Sequence, residues 1–125
     1  MYRSLFLTVA LALLATGSAK AEVLEGIQGR WQSGAFIIEM FEQNGEATGV
    51  MNNPFTHLIK VKEHGHGRYH GVMTRINRQT SCVTFLDVKI THIAQDKLQV
   101  ELRGKDSNCD LSPEYFAKNV YQLMN

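Results

Sequence analysis

The sequence lacks the short motifs by which many enzymes are recognised. It contains no Gly-x-Ser-x-Gly nucleophile elbow, no phosphate-cradling glycine loop, no His-Glu-x-x-His pair and no dinucleotide fingerprint. Its acidic residues are spread singly along the chain, so no glycosidase-like carboxylate pair is evident. We therefore expect a protein that is not an enzyme, with no catalytic residue and no cofactor.

Neither charge nor long apolar runs dominate the chain. Lys and Arg number 13, Asp and Glu number 12, and the formal net charge is +1. This near-balance argues against nucleic acid or an anionic membrane as partner, because both are held by many like-signed contacts. The apolar run from Leu5 to Ala15 is too short to span a bilayer, so we expect no integral membrane segment.

That apolar run is typical of a secretion signal. Arg3 precedes it as a positive n-region, and Ala19-Lys20-Ala21 offers the small residues that a signal peptidase reads. We predict that residues 1–21 are a cleaved signal and that residues 22–125 form a single exported domain, periplasmic or secreted. Cleavage would remove two bases and no acid, which moves the formal charge to −1. An uncleaved amphipathic anchor is the alternative.

Only two cysteines occur, Cys82 and Cys109, and neither belongs to a Cys-x-x-Cys pair. In an oxidising compartment, two cysteines in a small domain most simply form one disulfide. On the chain-entropy model such a link stabilises the fold by about 3 to 4 kcal/mol. A thiol nucleophile or a metal ligand is the alternative reading of either residue.

From Arg30 onward, apolar residues recur with the period of two that is typical of β-strands. Asn44-Gly45 favours a tight hairpin turn between two such segments. About eight short strands joined by tight turns predict an all-β fold, an antiparallel up-and-down meander closed or nearly closed into a small barrel, which hides its edges. Ser112-Pro113-Glu114 resembles a helix start, so we expect a short helix over Tyr115 to Lys118.

The segment Gly26-Ile27-Gln28-Gly29-Arg30-Trp31 opens the first strand with a Gly-x-Trp, at Gly29 and Trp31. This motif, followed by a meander of hairpins, resembles the calycin group, which includes lipocalins and avidin-like proteins. The resemblance implies a lipocalin-like barrel in which Trp31 plugs one end and the other end admits a small apolar ligand. An eight-stranded barrel can also be filled by its own side chains, and that alternative stays open.

The stretch KEHGHGRYHG, residues 62–71, concentrates three of the five histidines. If Glu63 pairs with Arg68 across the turn, His70 shares an apolar face with aliphatic residues of both strands, while His64 and His66 lie at an exposed tip. Two ligands are too few for a zinc site, so we expect no metal site and a plain turn. A metal-binding or pH-sensitive tip is the alternative.

Two functions fit this architecture. The first, which we prefer, is a carrier that binds a small apolar or amphipathic molecule without changing it. The expected ligand-binding residues are Phe36, Ile38, Ile59, Val61, His70, Val72 and Met73.

The second function is a protein-interaction module, an inhibitor or immunity-type protein that binds a protein target. Its contacts would come from a disulfide-anchored loop, with Arg75, Asn77 and Arg78 as the first candidates. A carrier predicts an interior larger than its side chains fill, whereas a module predicts a packed interior and a projecting loop. Monomer and homodimer both remain open.

Overall fold

The structure, a computed structural model, describes residues 26–52, 55–109 and 114–124. These residues form eight antiparallel strands that close into a barrel, which confirms the predicted all-β meander. The predicted signal, residues 1–21, lies outside the described residues. The strands are β1 (Gly29–Ser33), β2 (Phe36–Gln43), β3 (Glu46–Met51), β4 (Thr56–Glu63), β5 (Arg68–Asn77), β6 (Cys82–Ala94), β7 (Lys97–Ser107) and β8 (Phe116–Leu123).

Each strand pairs with its neighbours in the chain, and β1 pairs with β8 to close the barrel. Because an up-and-down chain reverses at alternate ends, the connections fall into two sets. The β2–β3, β4–β5 and β6–β7 turns lie at one end, which we call the plugged end. The connections β1–β2, β3–β4, β5–β6 and β7–β8 lie at the other end, which we call the open end.

The turn between β2 and β3 shows how the local sequence directs the fold. Asn44 and Gly45 have φ values of 55° and 79°, and Gln43 pairs with Glu46 on either side of them. A two-residue hairpin turn needs positive φ at both central positions, which asparagine tolerates and glycine adopts freely. The turn predicted from Asn44-Gly45 is therefore confirmed.

Side chains alternate between the barrel interior and its outer wall, as strand geometry requires. In β3, for example, the residues alternate strictly between exposed and buried. The inward side chains form one apolar core, and burying each large one contributes about 1.5 to 3 kcal/mol. The core consists of Ile27, Trp31, Ile38, Met40, Ala47, Met51, Ile59, Val61, Tyr69, Met73, Leu86, Val88, Ile90, Leu98, Val100 and Tyr121.

Trp31 fills the plugged end and is almost completely buried. Its indole N–H donates a hydrogen bond to the Ile27 carbonyl oxygen at 2.9 Å, and its ring meets the His92 ring edge-on with centroids 5.8 Å apart. Gly29 has a φ of 139°, and a Cβ there would lie 3.1 Å from Leu123 Cδ1. Both residues of the Gly-x-Trp motif are therefore explained by packing at this end.

Glu42 and Tyr69 form the main polar contact of the plugged end. The Tyr69 hydroxyl donates to the Glu42 carboxylate, with oxygen–oxygen distances of 2.9 and 3.0 Å. The Ile27 amide donates to the same carboxylate at 2.6 Å. Burial, helped by the hydrogen bond to Glu42, raises the pKa of Tyr69 well above its ordinary value, so the hydroxyl remains a donor at any ordinary pH.

The predicted register of the β4–β5 hairpin is wrong by one residue. Glu63 pairs with Tyr69 rather than with Arg68, and Lys62 pairs with His70. A shift of one residue exchanges the two faces of a strand. Tyr69 therefore lies in the core, and His70 lies exposed on the outer wall instead of facing inward.

The C-terminal segment is a strand rather than a helix where the structure describes it. Phe116–Leu123 form β8, so the helix expected over Tyr115 to Lys118 is not found there. Barrel closure explains the difference, because β8 must pair with β7 and β1 along this length. Residues 110–113, which include most of the expected helix start, lie outside the described residues. Within the described ranges, no helix is long and apolar enough to cross a membrane.

We expect Tyr69→Phe to lower the free energy of unfolding by about 1 to 3 kcal/mol, because it deletes a donor to a partly buried carboxylate. Urea unfolding followed by tryptophan fluorescence measures this change. Tyr121→Phe is the matched control, since the Tyr121 hydroxyl makes no hydrogen bond within the described part of the chain. Equal stability of Tyr69→Phe and the wild type would contradict the role assigned to this contact.

Candidate functional site

The candidate site is a cavity at the open end of the barrel. Its volume is about 230 Å³, and inward-facing residues of β2 to β8 line it. It lies above the filled core, with Met73 and Leu86 contributing to both. The lining residues are Phe36, Met51, Phe55, His57, Met73, Arg75, Leu86, Leu102, Tyr115, Ala117, Asn119 and Tyr121.

Arg75 supplies the permanent charge of this cavity. It pairs with His57 in the β4–β5 register, so both side chains project into the barrel. The guanidinium lies over the Tyr115 ring, 5.8 Å from the ring centroid, within the range of a cation–π interaction. None of the described residues that line the cavity is Asp or Glu.

His57 is buried at the back of the cavity, with 6% of its surface exposed. Its Nδ1–H donates to the Phe55 carbonyl oxygen at 3.0 Å, which orients the ring. Burial lowers the pKa of His57 below 6.5; the nearby charge of Arg75 acts in the same direction, while main-chain contacts with Phe55 and Met51 oppose it. His57 is therefore neutral at pH 7.

Aromatic side chains form much of the remaining wall. Phe36 stands at the rim and is 41% exposed, whereas Tyr121 is buried at the base. Burial raises the pKa of Tyr121, so its hydroxyl stays protonated. Together with Tyr115 and Asn119, this residue gives a largely apolar cavity a few polar groups, the composition typical of small-molecule sites.

The Cys82–Cys109 disulfide lies at the rim of the same end, which confirms the predicted pairing. It joins the start of β6 to the residues just after β7, and the two Cα atoms are 5.7 Å apart. Nearby, Asn108 accepts a hydrogen bond from the Val83 amide at 2.9 Å, and the hydroxyls of Thr84 and Ser107 are 2.9 Å apart. The bridge and these hydrogen bonds hold two rim connections together.

The ligand-binding residues expected from the sequence divide into three groups. Phe36 and Met73 line the cavity. Two others, His70 and Val72, project from the outer wall of β5, because of the shifted register. Ile38, Ile59 and Val61 are buried in the core but do not line the cavity.

The residues expected to bind a protein partner also separate. Arg75 lines the cavity instead of projecting from a loop. Asn77 ends β5 and accepts a hydrogen bond from the Gln79 amide at 3.1 Å, and Arg78 is exposed in the short β5–β6 connection. The loop is therefore a tight, internally bonded turn.

The histidine stretch does not contribute to the cavity. His64 and His70, which the predicted register placed on opposite sides, have ring centroids 5.3 Å apart on the outside of the plugged end. Across residues 26–52, 55–109 and 114–124, no three His, Cys, Asp or Glu side chains come together as a metal-binding group. The stretch forms the turn between β4 and β5.

A wider depression of about 850 Å³ lies on the outer wall of β1 to β3. Its lining includes Ile37, Val50 and Phe41, whose side chain is 72% exposed. Most of its residues face outward from a convex surface, so the depression cannot surround a small molecule. The smaller cavity inside the barrel mouth is the better candidate.

Sequence reasoning missed four lining residues with polar atoms: His57, Tyr115, Asn119 and Tyr121. The period-two pattern of β4 gave the signal for His57, since His57, Ile59 and Val61 share one face. Tyr115 lies just before β8, in the segment for which a helix was expected. Asn119 and Tyr121 are inward-facing because β8 is extended.

No protein-family model, no curated protein and no solved structure matches this chain. The case for a function therefore depends on the geometry of the cavity and on the chemistry of its side chains.

The double variant Cys82→Ser with Cys109→Ser should lower the free energy of unfolding by about 3 to 4 kcal/mol, because the bridge restricts the unfolded chain across a separation of 27 residues. Urea unfolding without reductant measures the loss. Amide exchange should accelerate at the rim, in residues 78–81 and 107–109, more than in β2 and β3 at the plugged end. An unchanged urea midpoint would show that the bridge adds no stability.

The lowered pKa of His57 makes stability depend on pH. The unfolded chain binds the proton more readily than the folded one, so stability falls as pH drops from about 6.5 through the folded pKa, and the loss is complete below it. We expect His57→Gln to be less acid-sensitive than the wild type between about pH 7 and pH 5 in urea titrations. His66→Gln, at the exposed hairpin tip, is the control and should retain the wild-type slope. Parallel slopes for all three proteins would contradict this role of His57.

Proposed function

We propose that this chain is a non-catalytic binding protein that takes one small, mostly apolar molecule into the open end of its barrel. The observation that carries the proposal is the cavity of about 230 Å³ above an otherwise well-filled core. An eight-stranded barrel can be filled completely by its own side chains, so a cavity confined to one end is consistent with an occupant.

The asymmetry of the barrel supports the same proposal. Trp31 and the Glu42–Tyr69 contact occupy the barrel interior at the plugged end, whereas the cavity lies at the open end. At the open end, the disulfide fixes the rim before any ligand arrives, and a preorganised site loses less entropy on binding. We also propose, on the Gly29 and Trp31 motif and this architecture, that the protein is calycin-like.

We further propose that the protein acts outside the reducing cytoplasm, exported to the periplasm or secreted. The Cys82–Cys109 bridge supports this, because such bonds persist in oxidising compartments. The signal-like features of residues 1–21 point in the same direction.

A protein-interaction module is the second candidate. Arg78 is exposed beside a turn that the disulfide and a hydrogen bond from Asn108 to the Ser81 carbonyl hold in place. The inward position of Arg75 leaves Asn77 and Arg78 as the remaining contact candidates, so this function is less well supported.

A neutral probe of suitable size tests the cavity directly. We expect benzyl alcohol to shift the amide resonances of β4, β5 and β8 near the open end in two-dimensional NMR spectra, and to leave the plugged end unchanged. Ala117→Leu should weaken this binding at least about tenfold, because the larger side chain fills space in a cavity of this size.

Lys118→Leu is the matched control. Lys118 follows Ala117 in β8, but it faces outward and does not line the cavity. Native mass spectrometry of protein purified from its own compartment would then identify any bound cargo. Uniform weak shifts over the whole surface, unaffected by Ala117→Leu, would exclude the binding proposal and favour the interaction module.

A further inference from the structure

The charged and titratable side chains around the cavity indicate the chemical class of its occupant. Arg75 is half-buried in the lining, and His57 beside it is neutral at pH 7 because burial lowers its pKa. No carboxylate from the described residues lines the cavity to balance the arginine. Arg75 is thus the one charged side chain among the described residues that line the cavity, within a mainly apolar wall.

Arg75 also has no ion-pair partner within the part of the chain that the structure describes. Moving a charge even partly out of water costs free energy unless hydrogen bonds or a counter-charge compensate for it. The described ion pairs lie elsewhere, between exposed side chains: Arg30 with Glu39, Lys97 with Asp96, and Lys105 with Asp87.

The contact with Tyr115 stabilises the cation in this position. The guanidinium carbon lies over the aromatic ring, 5.8 Å from the ring centroid, and such a contact uses the charge of the group rather than its N–H donors. Guanidinium N–H groups point outward in the plane of the group, where they match the two oxygens of a carboxylate. An arginine held over an aromatic ring in this way therefore retains N–H donors that can bind an anion.

The size and composition of the cavity limit the rest of the molecule. A volume of about 230 Å³ lies below the usual range of ligand pockets, about 300 to 1,000 Å³, so the occupant of the cavity is small. Long-chain fatty acids are too large for this space. Phe36, Phe55, Tyr115 and Tyr121 make up a third of the lining, which favours a flat or short apolar body.

We propose that the occupant is a small monocarboxylate with an aromatic or short aliphatic body, its carboxylate bound by Arg75 and its body packed between the aromatic side chains and Met73. This inference depends on the proposed function, because it names the class of ligand for the same cavity. On this proposal, Arg75 is the residue that makes the cavity prefer an anionic ligand to a neutral or cationic one.

Three probes of nearly equal shape separate charge from size: phenylacetate, phenylacetamide and 2-phenylethylamine. We expect calorimetric titration of the wild-type protein at pH 7 and low salt to give phenylacetate the highest affinity, about tenfold or more above the amide, as one charge-assisted hydrogen-bonded contact provides. The amine should bind most weakly. Hexadecanoate should not compete with phenylacetate, because it exceeds the cavity.

Arg75→Gln should lower the affinity for the acid about tenfold or more, so that the acid and the amide bind about equally. Arg103→Gln is the matched control: Arg103 lies at the same end, 4.6 Å from the centroid of Phe116, but on the outer wall. The Arg103→Gln variant should retain the wild-type preference for the acid over the amide. Arg75→Lys, which keeps the charge but loses the planar guanidinium group, should retain part of the preference for the acid.

Equal binding of acid and amide, or tightest binding of the amine, would overturn the carboxylate assignment and leave the cavity as a binding site. An Arg75→Gln variant that folds, as judged by its NMR spectrum, and still prefers the acid to the amide would also overturn the carboxylate assignment. If benzyl alcohol and all three charged or neutral probes fail to bind, the proposed function itself fails. The wild-type comparison needs no variant, so poor folding of Arg75→Gln cannot obscure the result.

Discussion

The register between β4 and β5 is the constraint on which both ends of this barrel depend. It places Tyr69 inside, where its hydroxyl reaches Glu42 of β2, and it sets His57 opposite Arg75 at the open end. Side chains alternate with a period of two, so a slip of β5 by one residue would move both Tyr69 and Arg75 to the outer wall. Burial of Tyr69 at the plugged end and the positive charge at the mouth are consequences of the same pairing.

The barrel is chemically polarised along its axis. At the plugged end, large apolar side chains pack beside a hydrogen-bonded carboxylate, with Trp31 hydrogen-bonded to the Ile27 carbonyl. At the open end, a half-buried cation and a neutral histidine border a cavity. Proteins tolerate a buried charge when something compensates for its lost hydration. Here the ring of Tyr115 provides part of that compensation, and an anionic ligand would provide the rest.

The disulfide lies at the end of the barrel that contains the cavity. The middle and the plugged end are held by core contacts and by the paired strands, with a register shift between His92 and Ala94 of β6. The rim has longer connections and partly exposed side chains, and there Cys82–Cys109 joins the β5–β6 and β7–β8 connections. A covalent link at this place limits opening of the mouth without occupying the cavity. Stability and a preorganised entrance therefore come from one bond.

Much of the architecture could be predicted from local signals. Alternating apolar residues, the Asn44-Gly45 turn and the two cysteines determined the strand count, the up-and-down order and the disulfide, because each depends on short-range geometry or on there being a single possible pairing. The site was not predictable in the same way. The sequence pattern of residues 62–71 allows two registers, and the choice between them comes from distant partners: Glu42, which binds Tyr69, and Thr91, which pairs with Arg68 from β6.

Closure of the barrel likewise made β8 a strand where local capping signals favoured a helix, and this brought Asn119 and Tyr121 to the cavity. The sequence by itself indicated a β-meander that is closed or nearly closed, with one disulfide. Only the tertiary structure decided which side chains face the mouth, because inward and outward faces differ by a single residue of register and the contacts that choose between them lie far apart in the chain.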